Sequence, residues 1–150
     1  MQVQRHAHSR DESTLTGWRR WFAYAACAWA LLFATPHLWW ALGVRAGFPG
    51  GDTSYEFFFD SWWRPLFNLL VIILSALMVV ITRSLMGQRV RRRRVLLTLA
   101  WIGSALLTLR GVAGGIVDGA SDPVWWPAFL TGGILFGAVA WFGREEEEAV

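Results

Sequence analysis

His37, Asn68 and Arg110 place an imidazole, an amide and a guanidinium inside largely apolar stretches of this chain. A neutral imidazole accepts or donates one hydrogen bond near physiological pH, and a guanidinium binds anions through a planar fork. An Arg buried in hydrocarbon costs about 2.5–3.5 kcal/mol on insertion scales, so Arg110 calls for a carboxylate or several carbonyls. Asp118 follows eight residues later, and Glu56 and Asp60 lie in a neighbouring connection. Two readings stand at this stage. In one, His37, Asn68, Arg110, Glu56, Asp60 and Asp118 converge as a small polar ligand site in which the imidazole accepts a hydrogen bond and Arg110 holds an anion. In the other they form a structural network with nothing bound.

Other chemistry finds little support. The sequence carries no nucleotide loop, no catalytic motif and no metal-ligand cluster, and no cofactor is expected. Cys27 is the single cysteine, which excludes an internal disulfide or a CxxC redox pair. A lipid hydrolase would use His37 as base, but no nucleophile is placed for it, although Ser54 and Ser61 lie nearby in sequence. A small proton-coupled exporter needs a membrane-embedded carboxylate, and the apolar blocks contain none before Asp118. The balance is therefore against an enzyme. A small transporter or a membrane-embedded enzyme acting on a lipid or small molecule is the alternative to a bundle with a polar site or partner-binding surface.

The elements that must position these residues are four apolar blocks, at about 21–44, 65–82, 95–117 and 124–143. Each has the ~17–25 residues that a helix needs to cross ~30 Å of hydrocarbon. With 55% apolar residues and 11 Trp in 150 positions, the chain exceeds what a soluble domain of this size buries. Backbone groups in lipid must bond internally, which leaves helices as the spanning form. Pro65 and Pro127 fall in first turns, where a missing N–H costs nothing. The expected architecture is all-α, an integral membrane antiparallel four-helix bundle over 21–143. It is preceded by a cytoplasmic segment at 1–20 and followed by a cytoplasmic acidic tail at 144–150. No cleavable leader is expected, since the first 17 residues are polar.

Orientation is read from arginine. All 14 basic residues are Arg. Arg5, Arg10, Arg19 and Arg20 precede the first block, and Arg83, Arg89 and Arg91 to Arg94 separate the second from the third. The other two connections hold only Arg45 and Arg64. Positive residues favour the cytoplasmic side, so both termini are expected inside a bacterial plasma membrane. Trp39, Trp40, Trp62, Trp63, Trp125 and Trp126 then gather at the outer interface, an agreement that uses no charges. The net charge of +3 is carried by these topology signals and does not point to nucleic acid. The expected partners are the lipid bilayer and another membrane protein or a second copy.

Small residues mark the faces that pack, because they let helix backbones approach. Ala23, Ala26, Ala30, Ala34, His37 and Ala41 recur every three or four residues on one face. Asn68, Ser75 and Thr82 recur at seven, Gly103, Arg110, Gly111 and Gly114 are placed along one side of the third block, so that Arg110 is expected to point at protein, and Gly133 and Gly137 form a GxxxG pair. The large Leu, Ile and Phe residues are expected to cover the remaining faces. Pro36, just before His37, leaves the Leu32 carbonyl without its helical donor.

The stretch HLWWALG at 37–43 resembles the motif H-x-Y/W-W-A-L-G-G of small four-span bacterial membrane proteins, a grouping of unknown function frequent in high-GC actinobacteria. Val44 stands where that motif has its second Gly, and a longer connection follows. The LRG at 109–111 and the W-x-P-x-F-L-x-G-G pattern ending at Gly133 are also similar. The resemblance implies a four-span fold and a membrane location, and it implies no chemistry.

Overall fold

The computed structural model describes residues 3–44, 46, 59–86, 92–117 and 124–148, with side chains described from Gly17 to Arg144 within those ranges. They form four helices and, among the described residues, no strand: α1 Val3–Ala41, α2 Arg64–Leu85, α3 Arg93–Val117 and α4 Trp125–Glu148. All four are long and apolar enough to cross a membrane.

Their ends follow from local chemistry. α2 opens on Arg64 and Pro65, with the Arg64 amide bonded to the Ser61 carbonyl at 3.2 Å and the Phe67 amide to Trp63 at 2.9 Å. Pro127 occupies the first turn of α4, where its missing donor has no intrahelical partner to lose. α1 is longer than the apolar block predicts. Its span-length part is Gly17–Ala41, yet helix continues back to Val3, which adds about 20 Å. Residues 3–16 contain neither Pro nor Gly, and extending a formed helix avoids a new nucleation step.

The helices pack as two pairs, α1 with α2 and α3 with α4, joined by α1–α4 and α2–α3 contacts, while α1 and α3 lie diagonally. The small-residue stripes are the seams. Ala23, Ala26, Ala30 and His37 of α1 are buried, as are Asn68, Ser75 and Thr82 of α2. In α3 the buried positions are Leu97, Ala100, Ser104, Gly111 and Gly114. Gly133 lies against Ser104 and Thr108, and the Ser104 hydroxyl donates to the Gly133 carbonyl at 2.7 Å. Trp29 Nε1 donates to the Ala128 carbonyl at 3.1 Å and ties α1 to α4.

The core has two parts. A larger cluster of Ala, Leu, Ile and Val with Phe136 fills the centre and the end rich in arginine. A smaller one, Trp40 and Phe59 with Trp63 and Trp125 against them, closes the end rich in tryptophan. Between 17% and 33% of each span's apolar window is buried inside the bundle. Most of the Leu and Ile side chains therefore point away from the protein, among them Leu32, Ile73, Leu106 and Ile116. Apolar area left in water costs about 25 cal/mol per Å², so these faces require an apolar surrounding.

Candidate functional site

The tryptophan-rich end is where the last turns of α1 meet the first turns of α2 and α4. His37 falls there because it continues the alanine stripe of α1, and Asn68 because it begins the buried line of α2. His37 Nδ1 and Asn68 Oδ1 are 2.9 Å apart, and both residues are buried. Asn68 Nδ2 donates to the Arg64 carbonyl at 3.0 Å. A carbonyl only accepts, which fixes the amide: Oδ1 faces the imidazole, so Nδ1 carries the proton that it donates. In the neutral ring, Nε2 is then the acceptor that remains.

Aromatic rings enclose this pair. His37 lies 4.9 Å from the Trp40 ring centroid, 5.2 Å from Phe33 and 6.3 Å from Phe67. Trp125 packs on Trp40 at 5.3 Å, and Phe129 on Phe33 at 5.2 Å. Rings thus wall the place where an open chamber is expected. The Phe residues assigned by the sequence to outward faces build its walls, because a buried imidazole at a helix junction leaves gaps that planar rings fill.

Arg110 stands apart, which corrects the expected convergence. Its side chain is exposed, with the guanidinium carbon 5.2 Å from the Phe129 centroid. Nη1 lies beside Gly114, one turn further along α3: a Cβ built there would meet it at 2.8 Å. Phe129 and Phe33 separate it from His37. The reason is angular. The buried line of α3 runs Leu97, Ser104, Gly111 at intervals of seven, and Arg110 is one residue, about 100°, off that line. It lies at the edge of the packed face and extends toward the tryptophan-rich end over an aromatic surface, a contact worth about 0.5–2 kcal/mol. Asp60 is exposed. Glu56 and Asp118 lie outside the described residues.

The sequence reading treats Arg64 only as a topology marker, and the structure places it inside the site. Its Nη1 donates to the Phe59 carbonyl at 2.7 Å and its guanidinium stands 5.4 Å from the Phe59 ring. Its Nε is buried without a hydrogen-bond partner. The signal available in the sequence was its place directly before Pro65, where a helix starts and Asn68 is one turn away. Among the described residues, no three His, Cys, Asp or Glu side chains gather as a metal ion would require.

Comparison with protein-family models, curated proteins and solved structures returns no match for this chain.

Proposed function

We propose that the chain is an integral membrane protein that crosses a bacterial plasma membrane four times as an antiparallel bundle, with both termini and Arg83 to Arg94 on the cytoplasmic side. The outward-facing apolar surface of all four helices supports the membrane reading. The arginine bias and the opposite tryptophan-rich end support the orientation. Contacts between the end of α1 and the start of α2, and between Arg93 at the start of α3 and Gly143 late in α4, support the antiparallel order. Reporter fusions at positions 50, 90, 120 and 150 should read out, in, out and in. A cytoplasmic reading at 50 or 120 overturns the topology.

Within that frame, the function is recognition at the outer end. The observation that carries it is unused hydrogen-bonding capacity at and beside the His37–Asn68 pair. His37 Nε2 is an acceptor, and Arg64 Nε is a buried donor one helical turn from Asn68. A buried donor without a partner, as Arg64 Nε is, is uncommon and calls for a water or a bound group. A hydroxyl or an amide, from a small molecule or a partner's side chain, supplies both the donor and the acceptor that these atoms lack. The rings around His37 suit a compact group and weigh against a path for solute through the bundle.

The test is carbethoxylation of imidazoles in the full chain reconstituted in liposomes, read by mass spectrometry. The peptide carrying His37 should react, with His6 and His8 as internal standards, and Asn68→Leu should change its rate. If His6 and His8 react and His37 stays unmodified in both proteins, the recognition site does not exist.

A further inference from the structure

Recognition around His37 leaves Arg110 unused, and the surroundings of this residue ask for an occupant of their own. Arg110 lies within the membrane-spanning part of α3, seven residues before Val117, which is about 10 Å of helix. Its side chain is exposed, so in a bilayer it leaves the bundle on the side that meets lipid. Among the described residues it makes no hydrogen bond and no ion pair, and its contact is the ring of Phe129. A guanidinium stays charged and carries five N–H donors. A cation on the outer face of a span needs acceptors, and hydrocarbon offers none.

Local packing sends the guanidinium toward the headgroups. Gly114 stands one turn nearer the tryptophan-rich end, where a Cβ would meet Arg110 Nη1 at 2.8 Å and the Trp126 Cβ at 3.2 Å. The absent methyl leaves a notch that the end of the arginine shares with Trp126. Trp126 is the second residue of α4, and its indole packs against Gly115, 3.5 Å from the Cβ position there. Tryptophan favours the level of the headgroups, and the guanidinium ends beside it. In the other direction, Leu106, Ile102 and Leu99 continue the face of Arg110 toward the bilayer centre, four, eight and eleven residues back, and all three are exposed. One helix face thus offers a cation at headgroup depth and an apolar track beneath it. A free anion matches only the first feature. A phosphate with acyl chains attached matches both.

We propose that this edge of the α3–α4 seam binds a phospholipid of the leaflet at the tryptophan-rich end, its phosphate oxygens accepting from the Arg110 guanidinium and an acyl chain lying along Leu106, Ile102 and Leu99. The proposal rests on the membrane reading above, and it is independent of the recognition site around His37.

The experiment is thermal unfolding of the full chain in a neutral detergent, titrated separately with phosphatidylglycerol, with diacylglycerol of the same acyl chains and with inorganic phosphate. Phosphatidylglycerol should raise the melting temperature saturably and by more than either of the others. Arg110→Gln should weaken the apparent affinity by roughly fivefold, the worth of one basic group at a membrane surface, while Arg20→Gln, an exposed arginine of α1, should leave it unchanged. Arg110→Lys keeps the charge and loses the planar fork, so it should weaken binding by a smaller factor. If Arg110→Gln does not fold, the lysine variant decides, and an affinity equal to that of the native chain overturns the site. Equal effects of Arg110→Gln and Arg20→Gln, or no saturable shift with phosphatidylglycerol, overturn it as well. An equal shift with inorganic phosphate overturns the lipid assignment, and an equal shift with diacylglycerol overturns the phosphate contact. Extraction of the chain from membranes by alkaline carbonate would instead defeat the membrane reading itself.

Discussion

His37 and Asn68 are 31 residues apart in sequence, and their side chains meet at 2.9 Å across the α1–α2 seam. Asn68 is the hinge of a short relay: it accepts from His37 Nδ1 and donates to the Arg64 carbonyl. The relay chooses the imidazole tautomer and ties the end of one helix to the first turn of the next.

Asn68→Leu removes both bonds and leaves the His37 N–H buried without an acceptor. Side-chain hydrogen bonds between membrane helices average about 0.6 kcal/mol and reach about 1.7, and a stranded buried donor adds to that. The expected cost is about 1–2 kcal/mol, read as a lower melting temperature in a fixed detergent. The double variant His37→Leu with Asn68→Leu should lose less than the two single losses together. Strict additivity would mean that the two side chains do not depend on each other.

Much of this seam is legible in the sequence, and the reason is physical. In an apolar surrounding, large side chains gain little by turning inward, so small residues and stray polar groups reveal the packed face. Ala23, Ala26, Ala30 and His37 show it for α1, and Asn68, Ser75 and Thr82 for α2. α3 is ambiguous on the same logic. Gly103 and Arg110 mark one line, Gly111 marks another about 100° away, Gly114 falls between them, and glycine suits either. The contact of Leu130 on Gly111 and the bond from Ser104 to Gly133 select the second line, and these depend on α4. The aromatic walls around His37 are equally hidden, since Phe33 and Phe129 resemble lipid-facing residues until two other helices enclose them.

Arg64 and Arg110 should exchange the importance that the sequence assigns them. Arg110 is exposed and makes a ring contact, so Arg110→Leu should change stability by less than about 1 kcal/mol. Arg64 holds the Phe59 carbonyl and packs on the Phe59 ring, which is 5% exposed. Arg64→Leu should cost about 1–3 kcal/mol by stranding that carbonyl and loosening the aromatic end. Folded yield and melting temperature of the two variants, compared side by side, decide it. Equal loss from Arg110→Leu would return Arg110 to the packed interior.

The α3–α4 seam should be intolerant of a single methyl group. A Cβ at Gly111 would stand 2.8 Å from the Leu130 backbone nitrogen, and one at Gly133 would overlap Thr108. Backbone cannot yield as a flexible side chain does, so Gly111→Ala and Gly133→Ala should each destabilise by about 1–3 kcal/mol, the usual cost of overpacking. Gly17 is the control, because nothing stands within 4 Å of its Cβ position. Gly17→Ala should be neutral or stabilising by up to about 1 kcal/mol through helix propensity. Tolerance of Ala at both seam positions would mean that α3 and α4 lie further apart than described.

Proximity at the tryptophan-rich end can be read directly by crosslinking. In a Cys27→Ser background, which removes the single native thiol, cysteines at 37 and 68 should be joined efficiently by a short bifunctional reagent, because their native side chains touch. A cysteine at 110 should pair with neither, since Phe129 and Phe33 lie between Arg110 and His37. It should instead react readily with small thiol reagents, as an exposed position does, while cysteines at 37 and 68 react slowly behind the rings. Ser75→Cys, buried on the same line of α2 as Asn68, provides a slow-reacting standard two turns further in. The pattern separates two arrangements of the same three residues. Efficient coupling of 110 to 37 or 68 would restore a shared polar chamber. Coupling confined to 37 and 68 places the recognition chemistry on the α1–α2 seam and leaves Arg110 on the outer rim.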